Sequence, residues 1–134
     1  MGMGKMQVYR DLVDLHTEIR KEVIRKIPVQ YRISDSLTIE NCLDSLTMCV
    51  AYLSRCRDNK EKAKKIDDNL INLDLLFYKI EMQSLAHIIS QAVTTDIFLK
   101  IRTIEKQLAA LRKSFASVPE SDCPRTAESA DYMI

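Results

Sequence analysis

Three cysteines, at 42, 49 and 56 in NCLDSLTMCVAYLSRC, are the side chains of this sequence best suited to chemistry. A thiolate can hold zinc, close a disulfide or act as a nucleophile. The seven-residue interval between them argues against the first two within one helix. At ~1.5 Å of rise per residue, successive sulfurs stand ~10 Å apart on one face. A disulfide needs Cα atoms within ~7 Å, and zinc needs each sulfur at ~2.3 Å. Any further ligand would have to come from Cys123, His16 or His87. The spacing therefore predicts three reduced, metal-free thiols that pack as small apolar side chains.

Other catalytic devices are equally sparse. Helical bundles that bind two metals use Glu-x-x-His pairs, and no such pair occurs here. His16 lies beside an apolar stripe and His87 late in a helical pattern, so both read as packed or partly exposed histidines. Asp67 and Asp68 read as acids early in a helix, where negative charge complements the dipole. Glycine occurs only at 2 and 4, which leaves no material for a phosphate-cradling loop or a nucleophile elbow. The expectation is a non-enzyme without cofactor or metal.

The elements that carry these residues are helices. Val8, Leu12, Leu15, Ile19, Val23 and Ile27 recur at helical spacing until Pro28. Ser34, Asp35 or Ser36 can cap a second helix over about 37–57. There Ile39, Leu46 and Leu53 alternate with the cysteines in a heptad, flanked by Leu43 and Val50. RCRDNKEKAKK, 55–65, reads as a charged hinge before a third helix over about 60–89. That helix carries two apolar stripes. One is Ile66, Leu70, Leu73, Phe77 and Ile80; the other is Ile71, Leu75, Tyr78, Met82, Leu85 and Ile89. A helix apolar on two faces must be covered from two sides, so the second stripe is the expected subunit interface. After SQAVTT, read as a turn, a fourth helix over about 95–117 carries Ile97, Ile101, Ile104, Leu108, Leu111 and Phe115. The expected architecture is all-α: an antiparallel up-down-up-down four-helix bundle over 7–117. A flexible leader over 1–6 precedes it, and a disordered acidic tail over 118–134 follows.

Charge is unevenly placed. The net charge is +1, but the tail sets Arg125 against Glu120, Asp122, Glu128 and Asp131. The tail is thus −3 and the rest of the chain +4. Candidate phosphate-binding residues are Arg20, Lys21, Arg25 and Arg32 around the first connector. The hinge offers Arg55, Arg57, Lys60, Lys62, Lys64 and Lys65, and the fourth helix Arg102, Lys106 and Lys113. No apolar run reaches the ~18 residues of a membrane span, and MGMGKM has no signal-like apolar segment. The chain reads as cytoplasmic.

The order of KIPVQYRIS, LTIENCLDSL, DDNLINLDLLFYKIEMQSLAHIIS and IRTIEKQLAALRKSF resembles a known family. It is the four-helix-bundle family that includes proteins encoded in intervening sequences of 23S ribosomal RNA genes. Within it, the chain looks most like accessory variability proteins of diversity-generating retroelements. Pro28 and Arg32 match the family's proline–x–x–x–arginine connector. Ala109, Ala110 and Phe115 stand where the family has a glycine and a tryptophan, and Asp74 interrupts its leucine-and-basic run. The resemblance implies a homopentameric ring with a basic outer surface. It also implies a non-catalytic role, binding a reverse transcriptase and its template RNA to support mutagenic cDNA synthesis. The alternative is a helical protein–protein adaptor without direct nucleic-acid binding.

Overall fold

The structure, a computed structural model, describes residues 6–117; residues 1–5 of the leader and the tail over 118–134 lie outside the described residues, and Met6, the last residue of the expected leader, packs against the core. Four helices account for most of it: α1 (Gln7–Glu22), α2 (Leu37–Arg55), α3 (Asn59–Leu85) and α4 (Gln91–Ser117). Among the described residues there is no strand. The helices pack against one another, α3 on α2 and α4, and α1 on α4 and α2. Contacts along each well-defined seam run in opposite numerical senses. Asp11 meets Gln107 while Glu18 meets Lys100. Asp67 meets Arg112, Phe77 stacks on Phe98, and Ser84 meets Gln91. Asp35 meets Lys79, and Cys49 meets the Lys65 carbonyl.

The core follows the helical spacing of the sequence. Val8, Leu12, Leu15 and Ile19 of α1 are buried, as are Ile39, Leu46 and Leu53 of α2. From α3 come Ile66, Leu73, Leu76 and Ile80, and from α4 Ile97, Ile101, Ile104 and Leu108. Each large aliphatic side chain taken fully out of water contributes about 1.5–3 kcal/mol before entropy is counted. Cys42 and Cys49 are buried among them as free thiols. Cys56 is only half-buried, because it is the residue that ends α2.

Element ends depart from the sequence reading in instructive ways. The first helix stops at Glu22 rather than running to Ile27. A 3-10 turn over Ile24–Lys26 follows, with Lys26 N–H bonded to the Val23 carbonyl at 2.9 Å. The tighter turn still buries Val23 and Ile27 before Pro28 forces Ile27 to extended backbone. None of Ser34, Asp35 and Ser36 caps α2 with its side chain. A π-helical turn over Arg32–Ser36 feeds directly into the helix. Asp35 is instead committed to α3, 3.1 Å from Lys79 Nζ and 3.2 Å from Gln83 Nε2.

The charged hinge is mostly helix. Only the stretch around Cys56–Asp58 breaks the path. Buried Asp58 caps α3 by accepting from the backbone N–H groups of Lys60 and Glu61 at 3.0 and 3.4 Å. SQAVTT is not a turn either: Ser90 Oγ accepts from Val93 N–H, and the segment forms the first turns of α4. The real turn is AHIIS. There α3 ends in a Schellman motif, with Ile88 N–H bonded to the Gln83 carbonyl at 2.9 Å and His87 N–H to Ser84 at 3.0 Å. The motif needs a left-handed residue, and His87 supplies it at φ 61°.

Candidate nucleic-acid and assembly surfaces

The second stripe of α3 faces away from the core. Ile71 is 69% exposed, Leu75 40%, Tyr78 54%, Met82 36% and Leu85 73%. At ~100° per residue these five positions cluster opposite Ile66, Leu73 and Ile80. Nothing among the described residues covers them. Ile89, placed on the same stripe by its spacing, is a correction: α3 has ended by then, and Ile89 turns inward to 5% exposure. The Schellman turn breaks the helical register that would have kept it outside.

The thirteen basic candidates fall into three groups. The first lies at the pole where α1 ends and α2 begins. Here Arg20 is already engaged, its Nε 3.0 Å from Glu40 Oε1 and an Nη 2.9 Å from Glu40 Oε2. The same carboxylate meets His16 Nε2 at 3.4 Å. These hydrogen bonds, with Arg20 first, hold the Glu40 carboxyl below the usual carboxylate range. Lys21 lines a cleft between α1 and α4 together with Asp14, Glu18, Glu22 and Asp96. Within that cleft Lys100 is bonded to Glu18 at 2.9 Å and Asp14 at 3.0 Å. Burial, followed by a hydrogen bond with Asp96, pushes the Glu18 carboxyl up. This groove is acidic and unsuited to phosphate. Arg25 and Arg32 are exposed beyond it.

The second group forms at the opposite pole. Arg55 ends α2, Arg57 lies in the following turn, and Lys60, Lys62, Lys64 and Lys65 lie on the first turns of α3. The end of α4 joins them. Lys62 Nζ lies 4.8 Å from the centre of the Phe115 ring, and Arg112 pairs with Asp67 at 2.9 Å. Lys65 Nζ lies 5.3 Å from the Tyr52 ring centre. Lys113, one residue beyond Arg112, is exposed at the same pole. The same segments carry four acids, Asp58, Glu61, Asp67 and Asp68, against eight cations, Arg55, Arg57, Lys60, Lys62, Lys64, Lys65, Arg112 and Lys113. This pole is therefore positive in effect.

The third group is the outer face of α4. Arg102 and Lys106 are exposed there as the spacing predicts. Arg102 pairs with Glu105 at 3.0 Å and lies 5.4 Å from the Phe77 ring centre, so its charge is partly answered.

The thiols have little capacity for chemistry. Burial pushes Cys49 up to about 11 and also raises Cys42, which keeps both protonated near neutrality. One constellation escaped sequence reasoning. His16, Glu40 and Asp44 place their ligand atoms within 4.8 Å of one another, a donor set open to a metal ion. Its members come from two helices, so no spacing in the chain announces it. Arg20 occupies both Glu40 oxygens, which makes the arrangement a clamp between α1 and α2.

Among the described residues no helix is long and apolar enough to cross a membrane. Comparison with protein-family models, curated proteins and solved structures gives no match to the chain.

Proposed function

We propose that the chain is a non-catalytic accessory subunit that assembles through α3 and binds RNA through its basic surface. Its four helices are read as an antiparallel up-down-up-down bundle, in keeping with the opposed contact order along the seams. The observation that carries the RNA reading is the basic pole. Arg55, Lys62, Lys64, Lys65 and Lys113 come together there from α2, α3 and α4, where cations outnumber acids. Long flexible cations around one end suit a phosphate backbone and carry no base-reading geometry.

The exposed α3 stripe supports assembly. Burying it against a second copy removes five large apolar side chains from water. A ring would repeat the basic pole once per subunit, so a modest charge becomes multivalent. By resemblance, the assembly is a homopentamer and the partners are a reverse transcriptase and its template RNA in a diversity-generating retroelement. Measuring RNA affinity across a salt series tests this: a steep negative log–log slope is expected, and a flat or absent response removes the RNA reading. The second reading, a protein–protein adaptor, is favoured by the same α3 stripe, which fits a helical partner equally well. Particle mass and pull-down of the reverse transcriptase in the absence of RNA separate the two.

A further inference from the structure

We infer that the surface which covers the α3 stripe is the α1–α2 connector of a second copy of this chain. This rests on the assembly reading above and deepens it by naming the other half of the contact. The described residues carry two exposed apolar surfaces, and their rims are of opposite charge. The stripe is flanked by exposed carboxylates, Asp68, Asp74 and Glu81. Lys79, on the same stretch of helix, is held by Asp35 at 3.1 Å. The connector, over 23–36, is the other concentration of outward apolar side chains. Val29 is 73% exposed, Tyr31 50%, Ile33 84%, and Leu37, which opens α2, 52%. Arg25, Lys26 and Arg32 stand exposed among them, and Lys26 reaches Glu22 at 3.5 Å. The connector's one acid, Asp35, is turned to Lys79 and Gln83.

Local structure explains why the connector is left outside. After Pro28 a 3-10 turn over Val29–Tyr31 and a π-helical turn over Arg32–Ser36 follow directly. Turns this short have no single face to bury, and from Ile24 to Ser36 only Ile27 and Ser36 are buried. A lone outward hydrophobe is ordinary, but Val29, Tyr31, Ile33 and Leu37 lie within nine residues, a concentration that marks an interaction surface. Asp35 ties the connector to Lys79 and Gln83, so it borders the stripe of its own subunit while the stripe stays exposed. Pairing of two stripes is opposed by their rims. Face to face and antiparallel, they set Asp74 and Glu81 of one copy against the same acids of the other, where loss of water strengthens repulsion. A connector instead brings apolar side chains to the centre of the stripe and guanidinium groups to its carboxylate rim, the core-and-rim pattern of a specific interface. Pairing of unlike surfaces also leaves each copy a stripe and a connector to offer onward, so assembly can continue beyond two.

The test uses the full chain and two variants, with particle mass read by sedimentation velocity. Leu75→Glu with Met82→Glu spoils the stripe, and Val29→Glu with Ile33→Glu spoils the connector. All four positions are exposed, so both variants should keep the helical circular-dichroism signal. Wild type should assemble, and each variant alone should be monomeric. Their equimolar mixture should give particles of twice the protomer mass, because the intact connector of one meets the intact stripe of the other. A second set keeps both apolar faces and reverses the rims. Asp74→Lys with Glu81→Lys, and Arg25→Glu with Arg32→Glu, should each raise the dissociation midpoint about three- to tenfold. All four changes in one chain should restore the wild-type mass. Either the mixed particle or the restored mass supports the pairing, and absence of both overturns it. A connector variant that assembles like wild type also overturns it, while the assembly reading stands with the stripe paired to itself. A monomeric wild type, or a stripe variant that still assembles, removes the assembly reading and this inference with it.

Discussion

Lys62, in the first turn of α3, lies over the Phe115 ring at the end of α4, 4.8 Å from its centre. This cation–π contact joins two basic segments, its two residues 53 positions apart in sequence. It also divides the basic residues into a pole and a separate α4 face, which gives a sharper test than either alone. Reversing Lys62, Lys64 and Lys65 to Glu should weaken RNA binding more than reversing Arg102 and Lys106. Both variants should retain the helical circular-dichroism signal. Fluorescence anisotropy over a salt series checks this, and equal affinity of both variants with wild type would reduce these lysines to solvated surface.

The proposed assembly rests on the outward stripe. Leu75→Glu with Met82→Glu places charge where a neighbouring subunit would exclude water. Light scattering should show wild type as an oligomer and the double variant as a monomer with unchanged helicity. A monomeric wild type would refute the assembly.

Replacing Cys42, Cys49 and Cys56 with Ala should preserve the fold and any RNA binding. Buried Cys42 and Cys49 leave small cavities, so stability should fall by roughly 1–3 kcal/mol in a urea titration. Stoichiometric zinc in the purified wild type, lost in the variant, would reverse this account.

Acid should expose the clamp at Glu40. Its carboxyl is held below the usual value of 4.5 by Arg20 first and then by His16. A depressed folded value means that the stabilisation is complete above about pH 5 and is lost as pH falls through the folded value. Thermal melts of wild type should therefore decline on acidification below that range. In Glu40→Gln the decline should be shallower, because this carboxylate no longer contributes to it.

His87 pays a local conformational penalty at φ 61° in the turn after α3. Glycine adopts the left-handed region without a Cβ clash, so His87→Gly should stabilise the protein by about 1 kcal/mol. A lower melting temperature would mean that the imidazole makes a compensating interaction.

The sequence by itself determined the four helices and their inward faces, because each depends on local spacing of apolar side chains. Leu12, Leu15 and Ile19, or Ile97, Ile101 and Ile104, fall on one side of any helix that contains them. The cysteines followed the same rule up to Cys49, and Cys56 departed from it only because α2 had ended. The outward stripe from Ile71 to Leu85 was legible for the same reason. Tertiary structure decided whatever depends on two elements at once. It committed Asp35 to Lys79 instead of a cap, and Arg20 to Glu40 instead of solvent. It turned Ile89 inward and left Lys21 among carboxylates. It also carried Lys113 to the start of α3, where the basic hinge becomes a pole. Local spacing fixes which way a side chain points on its own helix. Its charge environment is set by neighbours distant in sequence, because Coulomb interactions act through space across the packed helices.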